Sequence, residues 1–304
     1  MIEVAVVGLR WVQFGGAMVL FGVPLFLLYS ARTSAGLSLG WARPALISAA
    51  VVVALGAIGA LVAQTAVMAG SLVEAIKPAS LSFMVTGTGL GMAMVARAAF
   101  AAFALVAIVT MKPGRALWSL LIAAGLVIAA SFAWTGHGAA TEGPGGLIHL
   151  GADIIHAVAA AVWLGALAAL VLLLARRTAA DDPAIYRALS GFSGLGTVAV
   201  ILLVLTGLAN SWFLVGPARV GDLGGNPYGQ LLIGKLALFG LMLALAAANR
   251  FRLTPALGAV LAAGGDPRPA LRRLRRSVIA ETLVGAVLLA IVAIMGTLAP
   301  PSAM

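Results

Sequence analysis

The side chains best suited to hold a metal ion lie within twenty residues of one another. His137, His149 and His156 are the only histidines of the chain, which contains no cysteine. Soft and borderline metal ions take imidazole, thiolate or thioether ligands, so any nitrogen ligands must come from this stretch. Asp153 lies between two of the histidines and offers a carboxylate, which suits a metal ligand, an orienting partner for an imidazole, or a proton carrier.

His149, Asp153 and His156 share one face of the helix that their apolar surroundings predict. At 100° per residue the three positions fall within about 60° of arc, and Trp163 continues the same stripe. Such a stripe should face the protein interior, because polar groups are costly against lipid. His149 and His156 are about 10 Å apart along a straight helix, which is too far to share one small ion. We therefore predict a capture site at His137 and His149 and a deeper site at His156. The alternative is that all three are ordinary side chains near a membrane surface.

Methionine thioethers form a second group of candidate ligands. Met84, Met92 and Met94 cluster near the start of the third apolar stretch. A thioether is a soft ligand that suits Cu(I), although methionine also fills gaps in apolar cores. Met84 is the candidate that we retain as a ligand.

Composition places these residues in a membrane protein. Of the 304 residues, 62% are hydrophobic and 9% charged, and the mean hydropathy is +1.12. Soluble domains carry about 25% charged residues. The apolar runs are continuous rather than alternating, which excludes a β-barrel and predicts an all-α integral membrane protein in a lipid bilayer. The net charge of +10 is spread over the loops, so we expect no nucleic-acid partner.

Eight apolar stretches are long enough to cross a bilayer. They cover approximately residues 4–29, 45–70, 88–111, 116–135, 147–175, 190–215, 229–249 and 277–299. Fourteen of the 19 basic residues follow the first, third, fifth and seventh stretches. Because cytoplasmic loops are enriched in Lys and Arg, these loops are predicted to be cytoplasmic. Both termini and the first two histidines then lie on the periplasmic side.

The two halves of the chain are similar to each other. Residues 12–22 align with residues 155–165, which pairs Gln13 with His156. Farther along, Arg97 and Lys235 each follow a glycine by six residues. An even number of spans in each half predicts two parallel repeats, residues 1–135 and 136–304, of which only the second carries histidines.

Besides Asp153 and the histidines, three ionisable residues are predicted inside the membrane, namely Arg97, Lys235 and Glu281. Lys235 and Asp153 fall at similar depth, which suggests an ion pair between the fifth and seventh spans; a purely structural role for all of these charges is the alternative. The chain has no glycine-rich phosphate loop, no GxSxG and no HExxH sequence, so we expect no enzymatic activity.

The histidine region also resembles a known family. The residues that carry the resemblance are 136–137, 149–150 and 156–167, continued by 206–210, 228–238, 248–250, 274–281 and 296–300. Together they are similar to the CopD family of copper resistance and copper transport membrane proteins. The first span of that family often reads Arg-Trp-Leu-His, whereas this chain has Gln13 at the last of these positions.

The resemblance implies an inner-membrane protein of eight helices that moves copper, as Cu(I) or Cu(II), from the periplasm towards the cytoplasm. A periplasmic copper-binding protein of the CopC type is the implied partner. His137, His149 and His156 are the implied ligands, and Asp153 and Met84 complete the predicted site. Two alternatives stay open: a haem-binding redox or oxidase-assembly protein, and a copper-binding scaffold without transport. His156 is the only deep histidine, which argues against a bis-histidine haem.

Overall fold

Every regular element that the structure describes is helical. The computed structural model describes residues 2–30, 40–136, 138–143, 145–176 and 182–303. The α-helices within these ranges are α1 (Ile2–Ser30), α2 (Ala42–Ala69), α3 (Leu72–Ala75), α4 (Pro78–Gly87), α5 (Gly89–Thr110), α6 (Arg115–Ser131), α7 (Gly146–Arg176), α8 (Asp182–Leu214), α9 (Pro227–Ala248), α10 (Thr254–Ala262) and α11 (Arg268–Met295).

Eight of the described helical stretches are apolar and long enough to cross a membrane, which confirms the predicted number of spans. They are formed by α1, α2, α5, α6, α7, α8, α9 with α10, and α11. Two boundaries differ from the prediction. α8 begins at Asp182, eight residues earlier than expected. The seventh span does not end near residue 249, because a π-helical turn, Asn249–Leu253, carries α9 directly into α10.

Two short helices, α3 and α4, connect the second and third spans. α2 ends at Gly70, whose φ of +76° is a left-handed conformation that glycine adopts without strain. Ser71 then caps α3 by accepting a hydrogen bond from the Glu74 backbone N–H. Thr88 caps α5 in the same way, accepting from the Gly91 N–H at 2.9 Å. This segment was predicted only as a loop, and Met84 lies on α4 within it.

The bundle is built around the crossing of α1 and α7. A Cβ atom placed on Gly22 would lie 2.5 Å from the Cα of Gly165, and one on Gly165 would lie 2.5 Å from the Cα of Gly22. The two backbones therefore touch without intervening side chains, as small residues allow in membrane helix pairs. α1 is largely enclosed by its neighbours, whereas α9 lies at the periphery and exposes most of its surface.

The glycine crossing joins two positions that the predicted repeat makes equivalent. Gly22 and Gly165 occupy the same place in the alignment of residues 12–22 with 155–165. The halves nevertheless pack differently. α2 lies along α5 in the first half, whereas their equivalents α8 and α9 make little contact over their described lengths. The boundary between residues 135 and 136 stays a prediction.

Candidate metal site at the histidine end of α7

His149 is held rigidly at the start of α7, on the side of the membrane that we call the histidine side. Its side chain is fully buried, with 0% exposure. Its Nδ1 lies 2.7 Å from the hydroxyl of Thr141, and its ring stacks on Phe213 of α8 at 4.8 Å and 11°. The loop before α7 and the end of α8 thus fix the position and plane of this imidazole.

His156, seven residues farther along α7, is oriented by a hydroxyl group. Its Nδ1 lies 2.9 Å from Thr206 Oγ1. Thr206 donates its single hydroxyl hydrogen to the carbonyl of Leu202 at 2.6 Å, so Oγ1 accepts a hydrogen bond from His156 Nδ1–H. The neutral ring therefore carries its lone pair on Nε2. A ring N–H fixed by a polar partner, with the other nitrogen left as donor atom, is the usual arrangement of a metal-binding histidine.

Asp153 lies between the two imidazoles on the same face of α7. Asn210 of α8 donates to its Oδ1 at 2.6 Å. Its Oδ2 lies against Gly138, where any Cβ atom would collide with the carboxylate. Lys235 and Tyr228 of α9 lie within electrostatic range of Asp153, and the ion pair between Asp153 and Lys235 stays a prediction.

α7 is one uninterrupted helix from Gly146 to Arg176, so His149 and His156 keep the separation of about 10 Å that a straight helix gives. His137 lies outside the described residues. Within the described ranges no three His, Asp or Glu side chains come together as a metal-binding group. His149, Asp153 and His156 therefore form a row of polar side chains along α7, which we call the histidine ladder. Thr206 of α8 sets the tautomer of His156.

A cavity opens beside this ladder on the histidine side. Its volume is about 540 Å³. Among its lining residues are Gly138, which contacts Asp153, and Thr141, which contacts His149. Trp134 and Leu147 contribute apolar walls. We call this cavity the vestibule; its lining residues Gly138 and Thr141 contact Asp153 and His149 respectively.

Met84 is buried where α4 packs on α5. Thr88 Oγ1 donates to the Met84 carbonyl at 2.7 Å and lies 3.4 Å from its sulfur, and the same carbonyl would collide with a Cβ atom at Gly91. It does not line the vestibule. Its contacts are those of a packing residue, and ligation by Met84 stays a prediction.

The first half places different chemistry at the equivalent positions. Arg97, aligned with Lys235, is 1% exposed and donates from Nη1 to Gln13 Oε1 at 2.9 Å. Its Nε donates to Ser131 Oγ at 3.0 Å, and its guanidinium lies 3.8 Å from the centre of the Phe132 ring. The first half contains no histidine, so it offers no counterpart of the histidine ladder.

Several residues that shape the site escape prediction from sequence. Thr206 and Asn210 are the polar residues that orient His156 and Asp153. They are four residues apart in an apolar span, and this spacing on one helical face is a signal that could have found them. Gly138 and Thr141 contact Asp153 and His149 from a loop. The conformation of a loop does not follow a helical repeat, so the sequence pattern does not predict these contacts.

Comparison with known proteins identifies the family. Residues 1–147 match the copper resistance protein D-like N-terminal domain, and residues 186–295 match copper resistance protein D. Copper resistance protein D of Pseudomonas syringae pv. tomato is 38% identical over 303 residues, which cover 97% of this chain and 96% of that protein. The chain belongs to the copper resistance protein D family. The resemblance inferred from the sequence is thereby confirmed.

Other members of this group are more distant. Copper transport protein CutJ of Bacillus subtilis (strain 168) is 34% identical over 131 residues, 43% of this chain and 23% of that protein. Inner membrane protein YebZ of Escherichia coli (strain K12) is 30% identical over 169 residues, 55% of each chain. No solved structure matches the chain. With its eight apolar spans, this copper resistance protein D relative is a multi-pass protein of the bacterial inner membrane.

Proposed function

We propose that this chain transports copper from the periplasm towards the cytoplasm, and that copper moves along the polar face of α7. The observation that carries the proposal is the orientation of His156, whose Nδ1 side is held by Thr206, which leaves Nε2 as the nitrogen that would bind copper. The names of two relatives, a copper resistance protein and a copper transport protein, support copper as the cargo.

The distribution of basic residues supports the direction of approach. The loops rich in Lys and Arg lie at the opposite ends of the spans from the histidine side, so the positive-inside rule assigns the histidine side to the periplasm. Copper then enters the vestibule before it meets His149. A periplasmic copper carrier of the CopC type would deliver it there, and the exposed Leu147 and Ile148 offer such a carrier an apolar rim.

Transfer into the bundle requires that the site replace the water of the hydrated ion. His149, with His137 as its predicted neighbour, binds copper first. Asp153 supplies negative charge at the next position, within electrostatic range of Lys235. His156 Nε2 then accepts the ion about 10 Å from His149 along α7. Imidazole nitrogen binds both Cu(I) and Cu(II), so the ladder fits either oxidation state.

Copper accumulation in cells tests this proposal. We expect the double variant His149→Ala, His156→Ala to lose copper accumulation, measured as cell-associated copper by mass spectrometry and normalised to the amount of protein in the membrane fraction. His156→Gln introduces the side chain that the first half carries at Gln13, so it keeps hydrogen bonding but removes the imidazole. Accumulation at the wild-type level in both variants would refute the proposal.

Two alternatives have simple tests. A bis-histidine haem needs a second imidazole at the depth of His156, and the chain has only three histidines. A Soret band in the visible spectrum of the purified protein would favour haem, including a His–Met pair. A copper-binding scaffold would bind copper but show no copper flux in proteoliposomes.

A further inference from the structure

A buried carboxylate lies beyond the histidine ladder, towards the other side of the membrane. Glu281 of α11 is 2% exposed. Trp163 of α7 donates from Nε1 to Glu281 Oε1 at 2.9 Å, and Asn249 donates from Nδ2 to Oε2 at 2.8 Å. Both partners are neutral. An ionisable group in this position is costly to keep, which is why such residues in membrane spans usually belong to ion or proton pathways.

Asn249 is equipped to bind this carboxyl group in either protonation state. It begins the π-helical turn between α9 and α10, an irregularity that recurs at functional sites. Its Oδ1 is buried and has no hydrogen-bond partner among the described residues. The amide carries a donor and an acceptor at opposite ends. Its Nδ2 donates to Glu281 Oε2, a bond that favours the ionised carboxylate, and a half-turn of the amide would present Oδ1 to a protonated carboxyl.

Charged side chains on the surrounding elements point elsewhere. Next to Asn249, Arg250 is engaged with Ser193 O and Thr197 Oγ1 of α8. Arg10 of α1 donates to the carbonyl of Thr135 and lies against Gly296, 15 residues from Glu281 at the other end of α11. The arginines of the three segments that contact Glu281 or carry it, namely α7, the π-helical turn and α11, include several that are exposed: Arg176, Arg252, Arg272, Arg273, Arg275 and Arg276. The other titratable groups of α7 and α9 lie towards the histidine side, about two helical turns or more from the residues of those helices that contact Glu281: His149, Asp153, His156, Tyr228 and Lys235.

We propose that Glu281 binds a proton that is exchanged for copper during transport. This inference rests on the proposed function. Trp163 continues the α7 face of Asp153 and His156, about 10 Å beyond His156, so Glu281 is the next negative group that a cation on this face meets. Ionised Glu281 attracts the cation and protonated Glu281 does not. Copper and the proton therefore occupy this part of the pathway alternately, and protons move against copper.

Paired measurement of copper and proton movement tests the exchange. Purified full-length protein is reconstituted into liposomes that contain a pH-sensitive dye, and Cu(I), kept reduced, or Cu(II) is added outside. In the wild type we expect luminal copper to rise as protons leave the lumen. Glu281→Gln should lose the copper-linked proton movement, whereas Glu281→Asp should retain it. Glu74→Gln removes an exposed carboxyl that pairs with Lys77, and it should behave as the wild type.

The outcomes separate the two proposals. Wild-type copper flux without proton movement, or an unchanged number of protons per copper in Glu281→Gln, overturns the role of Glu281 and leaves copper transport standing. Absence of copper flux in the wild type overturns the proposed function itself. If Glu281→Gln does not fold, the variant Trp163→Phe is used for the test instead. It removes one donor to the ionised carboxyl, so the midpoint of the pH profile of copper flux should move to higher pH, and an unmoved midpoint overturns the inference.

Discussion

Replacement of Thr206 by valine separates the orientation of His156 from its presence. Valine has nearly the same shape as threonine but lacks the hydroxyl that accepts from His156 Nδ1–H. The imidazole would stay in the chain, yet neither its tautomer nor its ring plane would be fixed. Removal of such an orienting partner costs about 10- to 100-fold in metal affinity. This range corresponds to about 1.4 to 2.8 kcal/mol of binding free energy.

The chain offers a matched control for this substitution. Thr65 of α2 is buried and donates its hydroxyl to the carbonyl four residues earlier, Leu61, at 2.7 Å, just as Thr206 donates to Leu202 at 2.6 Å. Thr65 has no imidazole partner among the described residues. Thr65→Val therefore reproduces the loss of a buried hydroxyl and of its backbone hydrogen bond, without a change in the site.

Copper affinity of the detergent-purified protein, measured by competition with a chromophoric chelator, distinguishes the two variants. We expect weaker binding in Thr206→Val and wild-type binding in Thr65→Val, with similar melting temperatures in the absence of copper. Wild-type affinity in Thr206→Val would refute the assigned role of the hydroxyl. Equal losses in both variants would show that the effect comes from helix packing rather than from orientation of His156.

Three further substitutions test separate parts of the structure. Gly138→Ala places a Cβ atom against Asp153 Oδ2, so we expect the loop to shift and copper uptake by cells to fall severalfold. Gly165→Ala places a Cβ atom 2.5 Å from the Cα of Gly22, and such overpacking should cost about 1–3 kcal/mol, seen as a lower melting temperature. Met84→Leu keeps the side-chain volume but removes the sulfur, so a fall in Cu(I) affinity is expected if the predicted ligation by Met84 is correct.

Each of these variants has a control, which is the same type of substitution at a position with different surroundings. Gly151→Ala and Gly15→Ala add a Cβ atom where nothing lies within 4 Å, and they should leave uptake and melting temperature unchanged. Met92→Leu alters an exposed thioether of α5 and should leave Cu(I) affinity unchanged. Unchanged uptake in Gly138→Ala would contradict the assigned contact with Asp153. An unaltered melting temperature in Gly165→Ala would contradict the close crossing, and unaltered affinity in Met84→Leu would exclude the sulfur.

The sequence predicts the spans well, because an apolar run of sufficient length has no other stable environment than the bilayer. It misses α3 and α4, whose short length depends on caps such as Ser71 rather than on periodicity. It also misses the π-helical turn at Asn249, because nothing in the basic stretch that follows distinguishes a continuing helix from a loop.

The candidate site is predictable along one helix but not between helices. The shared face of His149, Asp153 and His156 follows from helical geometry alone. The pairing of His156 with Thr206 depends on the axial register and rotation of α8 against α7. The residues of one helix alone do not determine how it packs against the other. Likewise, Glu281 is identifiable as an ionisable residue in a span, but its bonds to Trp163 and Asn249 emerge only when three segments pack together.

The crossing of Gly22 and Gly165 has a mechanical consequence for the site. At that point the backbones of α1 and α7 touch with no side chains interlocked, so Gly165 would be the fulcrum of a tilt of α7 against α1. His149 is 16 residues away, or about 24 Å along the axis. A tilt of about 10° at the fulcrum would therefore carry His149 through about 4 Å, more than a metal–ligand bond length. The chain has no native cysteine, so a pair of introduced spin labels would report that displacement without background.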